Sequence, residues 1–168
     1  MTTSARESTS NQAVDTPLSL NMSRTIRADR RKVFEAWTNP HSMRAWFAPG
    51  NMTAPTATND LRVGGEYRVE MKGSIAVHND ADPSQASDPI MVAHGVYREI
   101  VPYERLSYTW TGSWDPSEES LVTVTFKDVQ GGTEVILTHE GFHTDRSRDT
   151  HLGGWESSLG KLTHFLAS

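Results

Sequence analysis

Cysteine is absent from the chain, which excludes disulfides, a cysteine-based zinc site, an iron–sulfur cluster and a thiol nucleophile. No apolar run approaches the ~18 residues that a membrane-spanning helix needs. Mean hydropathy is -0.54, so the sequence reads as soluble, with no membrane insertion. Positive charge is in deficit: 16 Lys and Arg against 21 Asp and Glu give a formal net charge of -5. That balance argues against nucleic acid as a partner and against a general attraction to anionic membranes. An export signal is also missing. Residues 1–16 are rich in Ser and Thr and carry no aromatic side chain and no apolar stretch. They read as a disordered or loosely ordered tail, and the cytoplasm is the expected location. Residues 17–168 remain, a length that suits one domain with a full core.

Hydrophobic periodicity divides this domain. Residues 18–28 alternate as a half-buried strand, with Leu18, Leu20, Met22 and Ile26 on one face and Arg24 interrupting it. Asp29 is placed as a helix N-cap, and Val33, Phe34 and Trp37 follow at helical spacing before Asn39-Pro40 ends the helix. A second short helix carries Met43, Trp46 and Phe47 and stops at Pro49-Gly50. The period then becomes two. A weak strand at residues 52–60 contains Pro55, which predicts an edge position or a bulge. Strands follow around Tyr67–Met71, residues 90–101 and Leu106–Trp110, with a long connection at 73–88 and a loop at 112–119. A hairpin is expected around Gln130-Gly131-Gly132. Helical spacing returns after Gly141, where Leu152, Trp155, Leu159, Leu162 and Leu166 share one face. The order predicts an α+β domain in which a curved antiparallel sheet of six to seven strands wraps a long C-terminal helix. A grip of this kind leaves room for a ligand between helix and sheet.

Five segments carry a family resemblance: IRADRRKVFEAWTNPHSMRAWFAP, VGGEYRVEM, HGVYREIVPYERLSYTW, GGTEVILTHEGF and HLGGW, in that order. With them the chain resembles the START-like (SRPBCC) superfamily and, within it, the family named after the activator of the heat-shock-protein-90 ATPase. The resemblance implies a helix-grip fold with an internal apolar cavity. It also implies a superfamily that spans lipid carriers, hormone receptors, aromatase/cyclases and resistance proteins. Binding of a small hydrophobic or aromatic molecule, in a stress or detoxification setting, is the function expected first. A cyclase- or hydrolase-type enzyme is the second. Stimulation of the heat-shock-protein-90 ATPase is the third, and the short N-terminal segment weighs against it, because the eukaryotic activator makes much of its chaperone contact through an additional N-terminal domain. No cofactor is expected. An edge strand offers pairing with a second copy of the chain as a homodimer.

Candidate cavity residues come from every element. The short helices supply Trp37, Trp46 and Phe47. The strands supply Tyr67, Val69, Met71, Tyr97, Tyr108, Trp110, Val124, Phe126, Leu137 and His139, and the last helix supplies His151, Trp155 and Leu159. Aromatic walls suit flat apolar ligands, although the same residues would equally make a plain aromatic core. Glu99 belongs to the set if its strand turns it inward, where it would be a buried acid. On the outer face it would be an exposed partner of an arginine. Parity is ambiguous, because Val92, Val96 and Ile100 compete with Tyr97 and Val101.

His139-Glu140-Gly141-Phe142-His143 spells the zinc-hydrolase motif H-E-x-x-H. That chemistry needs both histidines one helical turn apart. Here the motif ends a strand, which would hold the Cα atoms roughly 13 Å apart, so no metal site is expected. His139 shares strand parity with Val135 and Leu137 and should face inward, as a ligand donor, a general base or a hydrogen-bonded core histidine. His151 and Trp155 lie four residues apart on one helix face, at a cavity mouth or packed in the core. Gly153-Gly154 is costly inside a helix, and either close approach to a strand or ligand, or a frayed first turn, would account for it.

Overall fold

The computed structural model describes residues 18–73 and 90–167. The expected N-terminal tail lies outside the described residues, as does nearly all of the 73–88 connection. Seven strands and three helices follow the expected order. They are β1 (Leu18–Ile26), α1 (Arg30–Thr38), α2 (Pro40–Trp46), β2 (Thr53–Asn59), β3 (Glu66–Lys72), β4 (Ile90–Val101), β5 (Arg105–Gly112), β6 (Asp115–Val129), β7 (Gly132–Phe142) and α3 (Asp145–Leu166). One antiparallel sheet runs β1-β7-β6-β5-β4-β3-β2 and curves around α3, the helix-grip architecture that the resemblance implies.

Local chemistry explains the boundaries. The Asp29 carboxylate accepts from the Lys32 N–H at 3.0 Å and starts α1. Asn39 serves two helices: its N–H closes α1 on the Glu35 carbonyl, and its side chain accepts from His41 N–H to start α2. Pro40 sits in the first turn of α2, where a missing N–H costs nothing. Thr144 caps α3. Pro55 lies in the edge strand β2, and the β2–β3 register shifts between Thr53 and Thr56 around it. Gly132 is required by the β6–β7 hairpin. Its φ is +153°, and a Cβ there would fall 2.0 Å from the Ile26 carbonyl oxygen.

Two expectations are corrected. The loop expected at 112–119 shrinks to Ser113-Trp114, and β6 begins at Asp115. Glu118 and Ser120 continue the inward parity of Val122, Val124 and Phe126, and polar side chains in those places hide the alternation. β4 carries a register shift between Tyr97 and Glu99, so Arg98 and Glu99 are both exposed in succession. Glu99 therefore lies outside the cavity. Its side chain is 46 % exposed and pairs with Arg105 at 3.1 Å.

The inner face of the sheet and the three helices bury one continuous aromatic core. Its polar atoms are paired internally. Trp46 Nε1 donates to the Ala36 carbonyl at 2.9 Å, Trp37 Nε1 to the Tyr108 hydroxyl at 3.1 Å, and the Tyr67 hydroxyl to the Thr109 carbonyl at 2.6 Å. No described helix is long and apolar enough to cross a membrane. In α3, Gly153 faces open space. Gly153→Ala should therefore raise stability by about 1 kcal/mol through helix propensity alone, read as a higher midpoint in urea with an unchanged slope.

Candidate functional site

Between α3, the chain that follows α2 and the ends of β3, β4 and β5 lies a cavity of ≈ 110 Å³. Phe47, Pro49 and Met52 form one wall. Met71, Met91, Trp110 and Trp114 form a second, and Thr150, His151, Gly154, Trp155 and Ser158 of α3 form the third. Five of the expected residues meet here: Phe47, Met71, Trp110, His151 and Trp155. Trp37, Tyr67, Tyr97 and Tyr108 enclose instead, with Met43 and Phe47, a space of ≈ 10 Å³, about room for one water. Trp46, Val69, Val124, Phe126, Leu137 and Leu159 are core packing. Reasoning from the sequence missed Pro49, Met52, Met91, Trp114, Thr150, Gly154 and Ser158. Pro49, Met52, Met91 and Trp114 come from the ends of elements or just beyond them, where no period marks an inward residue. Thr150, Gly154 and Ser158 lie inside α3 but are too small or polar to show in an apolar stripe.

The rings of the wall are in mutual contact. Phe47 stacks on Trp110 with centroids 5.7 Å apart, Trp110 lies 5.5 Å from Trp155, and Trp114 extends the row at 6.4 Å from Trp110. Trp114 is 41 % exposed and stands at the mouth. Gly112 leaves the room for it, since a Cβ there would fall 2.1 Å from the indole. Gly154 keeps the opposite side open: a Cβ on it would meet only Pro49 Cβ, at 3.9 Å.

Two histidines hold two of the indoles, His139 from behind the wall and His151 from within it. Trp155 Nε1 donates to His139 Nδ1 at 3.0 Å, so Nδ1 carries no proton. The ring proton of neutral His139 is then on Nε2, which donates to Ser120 Oγ at 2.7 Å. Ser120 in turn donates to the Trp110 carbonyl at 3.2 Å. His151 has the opposite tautomer. Its Nδ1 donates to the Ser147 carbonyl at 2.7 Å, and its Nε2 accepts from Trp110 Nε1 at 3.2 Å. The tautomers follow from donor and acceptor roles, since indole and peptide groups cannot exchange them. Burial pushes the His139 pKa well below its ordinary value, and the neighbouring His151 pushes it further. Burial likewise lowers that of His151, against the raising effects of the Ser147 carbonyl and Glu118. Both rings are neutral, and every ring nitrogen is engaged. His139 is the hydrogen-bonded core histidine of the three readings, and no free nitrogen aims at the cavity.

The wall formed by residues 47–52 is tied to α3 by side chains of that helix. Ser158 Oγ donates to the Phe47 carbonyl at 2.9 Å, and Ser157 Oγ accepts from Gly50 N–H at 2.6 Å. Lys161 Nζ donates to the carbonyls of Ala48 at 2.5 Å and Met52 at 3.0 Å.

The two histidines of H-E-x-x-H face different surroundings. His139 is fully buried, whereas His143 is exposed and lies beside Asp115 and Glu118. Glu118 there accepts from the His143 N–H at 2.8 Å and the Ser147 hydroxyl at 2.6 Å, joining β6 to the start of α3.

The sequence pattern of the Activator of Hsp90 ATPase homolog 1-like protein family matches residues 27–167. The chain matches no curated protein. Among solved structures it resembles protein CV1439 from Chromobacterium violaceum, with 24% identity, a TM-score of 0.74, and coverage of 90% of this chain and 99% of that one. A Rhizobium leguminosarum protein is 28% identical, with a TM-score of 0.67 and coverage of 89% and 94%. An AHSA1-like protein from Aeromonas hydrophila is 19% identical, with a TM-score of 0.68 and coverage of 89% and 92%.

Proposed function

The chain belongs to the family of Activator of Hsp90 ATPase homolog 1-like proteins, and on that premise we propose that it is a binding protein for a small hydrophobic or aromatic molecule. The helix-grip fold is a ligand-binding architecture in general. The observation that carries the reading is the apolar cavity of ≈ 110 Å³ at the helix–sheet junction, walled by Phe47, three methionines and three tryptophans and open past Trp114. Removal of apolar surface from water is the driving force such a wall offers. Acid–base chemistry by His139 finds no support in the geometry, since Trp155 and Ser120 occupy both of its nitrogens. A scavenging role in stress or detoxification is the setting in which such a binder acts without chemistry of its own.

Gly154 gives the test. Gly154→Leu places a branched side chain into the cavity, whereas Gly154→Ala adds one methyl at ordinary contact distance from Pro49. The expected result is saturable quenching of tryptophan emission by small apolar molecules. Affinity should be nearly unchanged in Gly154→Ala and at least tenfold weaker in Gly154→Leu. Titrations that are equal in all three proteins would overturn the reading.

A further inference from the structure

Resting on the binding reading above, we propose that the cavity selects uncharged molecules built on a single aromatic ring, and discriminates against carboxylates, ammonium ions and long-chain lipids. Size is the first argument. A dry cavity of about 150 Å³ holds one benzene, and drug-sized ligands use roughly 300–1,000 Å³. The ≈ 110 Å³ found here is slightly under the benzene-holding volume, so a single ring fills it with its substituent in the open mouth past Trp114. A steroid or a twelve-carbon chain would leave most of its apolar surface in water.

Charge is the second. Among the described residues, no Asp, Glu, Lys or Arg lines the cavity. A carboxylate or an ammonium ion would give up its hydration without a partner, which costs far more than ring burial returns.

The third is the state of the polar atoms already in the wall. The Trp110 indole N–H is spent on His151 and that of Trp155 on His139. Ser158 donates to the Phe47 carbonyl, and both nitrogens of His151 are engaged. Among the described residues lining the cavity, the Thr150 hydroxyl and the Trp114 indole N–H, both at the exposed rim, stand apart from these bonds. The buried end of the ligand must therefore be apolar, while a single hydroxyl is tolerated at the rim.

The wall's softness favours a ring over a chain. Met52, Met71 and Met91 line the cavity together with the indoles, and sulfur contacts aromatic rings favourably. Their unbranched side chains also adapt to a flat guest.

Four probes test this: p-cresol, its anionic counterpart p-toluate, its cationic counterpart p-methylbenzylamine, and laurate. Each is titrated at pH 7.5 by tryptophan emission and by saturation-transfer NMR into wild-type protein, Gly154→Ala and Gly154→Leu. Circular dichroism checks that the variants are folded. We expect p-cresol to bind at least tenfold more tightly than either charged ring, laurate to show no saturable binding, and Gly154→Leu to weaken p-cresol at least tenfold. If laurate or a charged ring binds most tightly and is blocked by Gly154→Leu, the ligand class is overturned while the cavity remains a binding site. If p-cresol binds equally to Gly154→Leu, it is not held in this cavity and the inference fails. If none of the probes binds wild type or Gly154→Ala, the binding reading fails with it.

Discussion

His139→Ala is expected to lower folding stability by about 4 kcal/mol, a large share of the roughly 5–15 kcal/mol that holds a domain together. His139 is fully buried, and truncating a large buried side chain to alanine typically costs about 2–5 kcal/mol through the cavity it leaves. The Trp155 N–H would also lose its acceptor, and an orphaned buried donor costs about 1–3 kcal/mol. A pH signature distinguishes this role from plain packing. Both His139 and His151 have pKa values lowered in the fold, so the unfolded chain binds more protons as pH falls. Their stabilisation is complete above the ordinary histidine value of 6.5 and is lost progressively below it. The slope approaches about 1.4 kcal/mol per pH unit for each ring. A proton on either ring would set N–H against the N–H of an indole, so the tryptophans of the cavity wall must move as the rings titrate. Urea unfolding at pH 8, 6 and 5 measures this: wild-type stability should fall between pH 6.5 and 5, and His139→Ala should fall about half as steeply. A wild-type stability that is flat across that range would refute the assignment.

Lys161→Met should cost about 2 kcal/mol and loosen the cavity. The substitution keeps the apolar stem and removes the ammonium that donates to the Ala48 and Met52 carbonyls. Hydrogen bonds to charged groups contribute about 1.5–3 kcal/mol each. Here the sum is smaller, because Lys161 is only half-buried and the freed carbonyls can recruit water. Burial lowers the Lys161 pKa, which is the desolvation the two carbonyls offset. Phe47 and Met52 bracket the tethered segment and line the cavity, so apolar ligands should bind about fivefold more weakly and amides 48–52 should exchange faster with solvent. Unchanged exchange in that segment would show that the ammonium does not hold the wall.

Much of this architecture is legible in the residues. Asp29, Pro40 and Pro55 mark a helix start, a helix end and an edge strand by chemistry that acts within a few residues. The inward parity of His139 with Val135 and Leu137 is equally local. What escapes is set by distant partners. Glu118 looks like loop chemistry until His143 and Ser147, joined to it by the fold, satisfy its carboxylate. Ser120 looks the same until His139 arrives from the neighbouring strand. The side on which Glu99 lies depends on one bulge in β4, and an extra residue in a strand leaves no compositional trace. The cavity itself is assembled from Met52, Met91 and Trp114, each just inside or beyond an element's end, where periodicity stops.

That α3 follows all seven strands in chain order has a consequence for synthesis. All seven strands are made before Asp145, yet the inner face of the sheet is covered in part by Trp155, Leu159 and Leu162 of this helix. At about 5–20 residues per second, its 22 residues take about one to four seconds to add. For that interval the nascent chain carries an apolar concave surface with no lid of its own. A ribosome stalled just before α3 would leave an aggregation-prone intermediate, and slow codons there would lengthen its exposure.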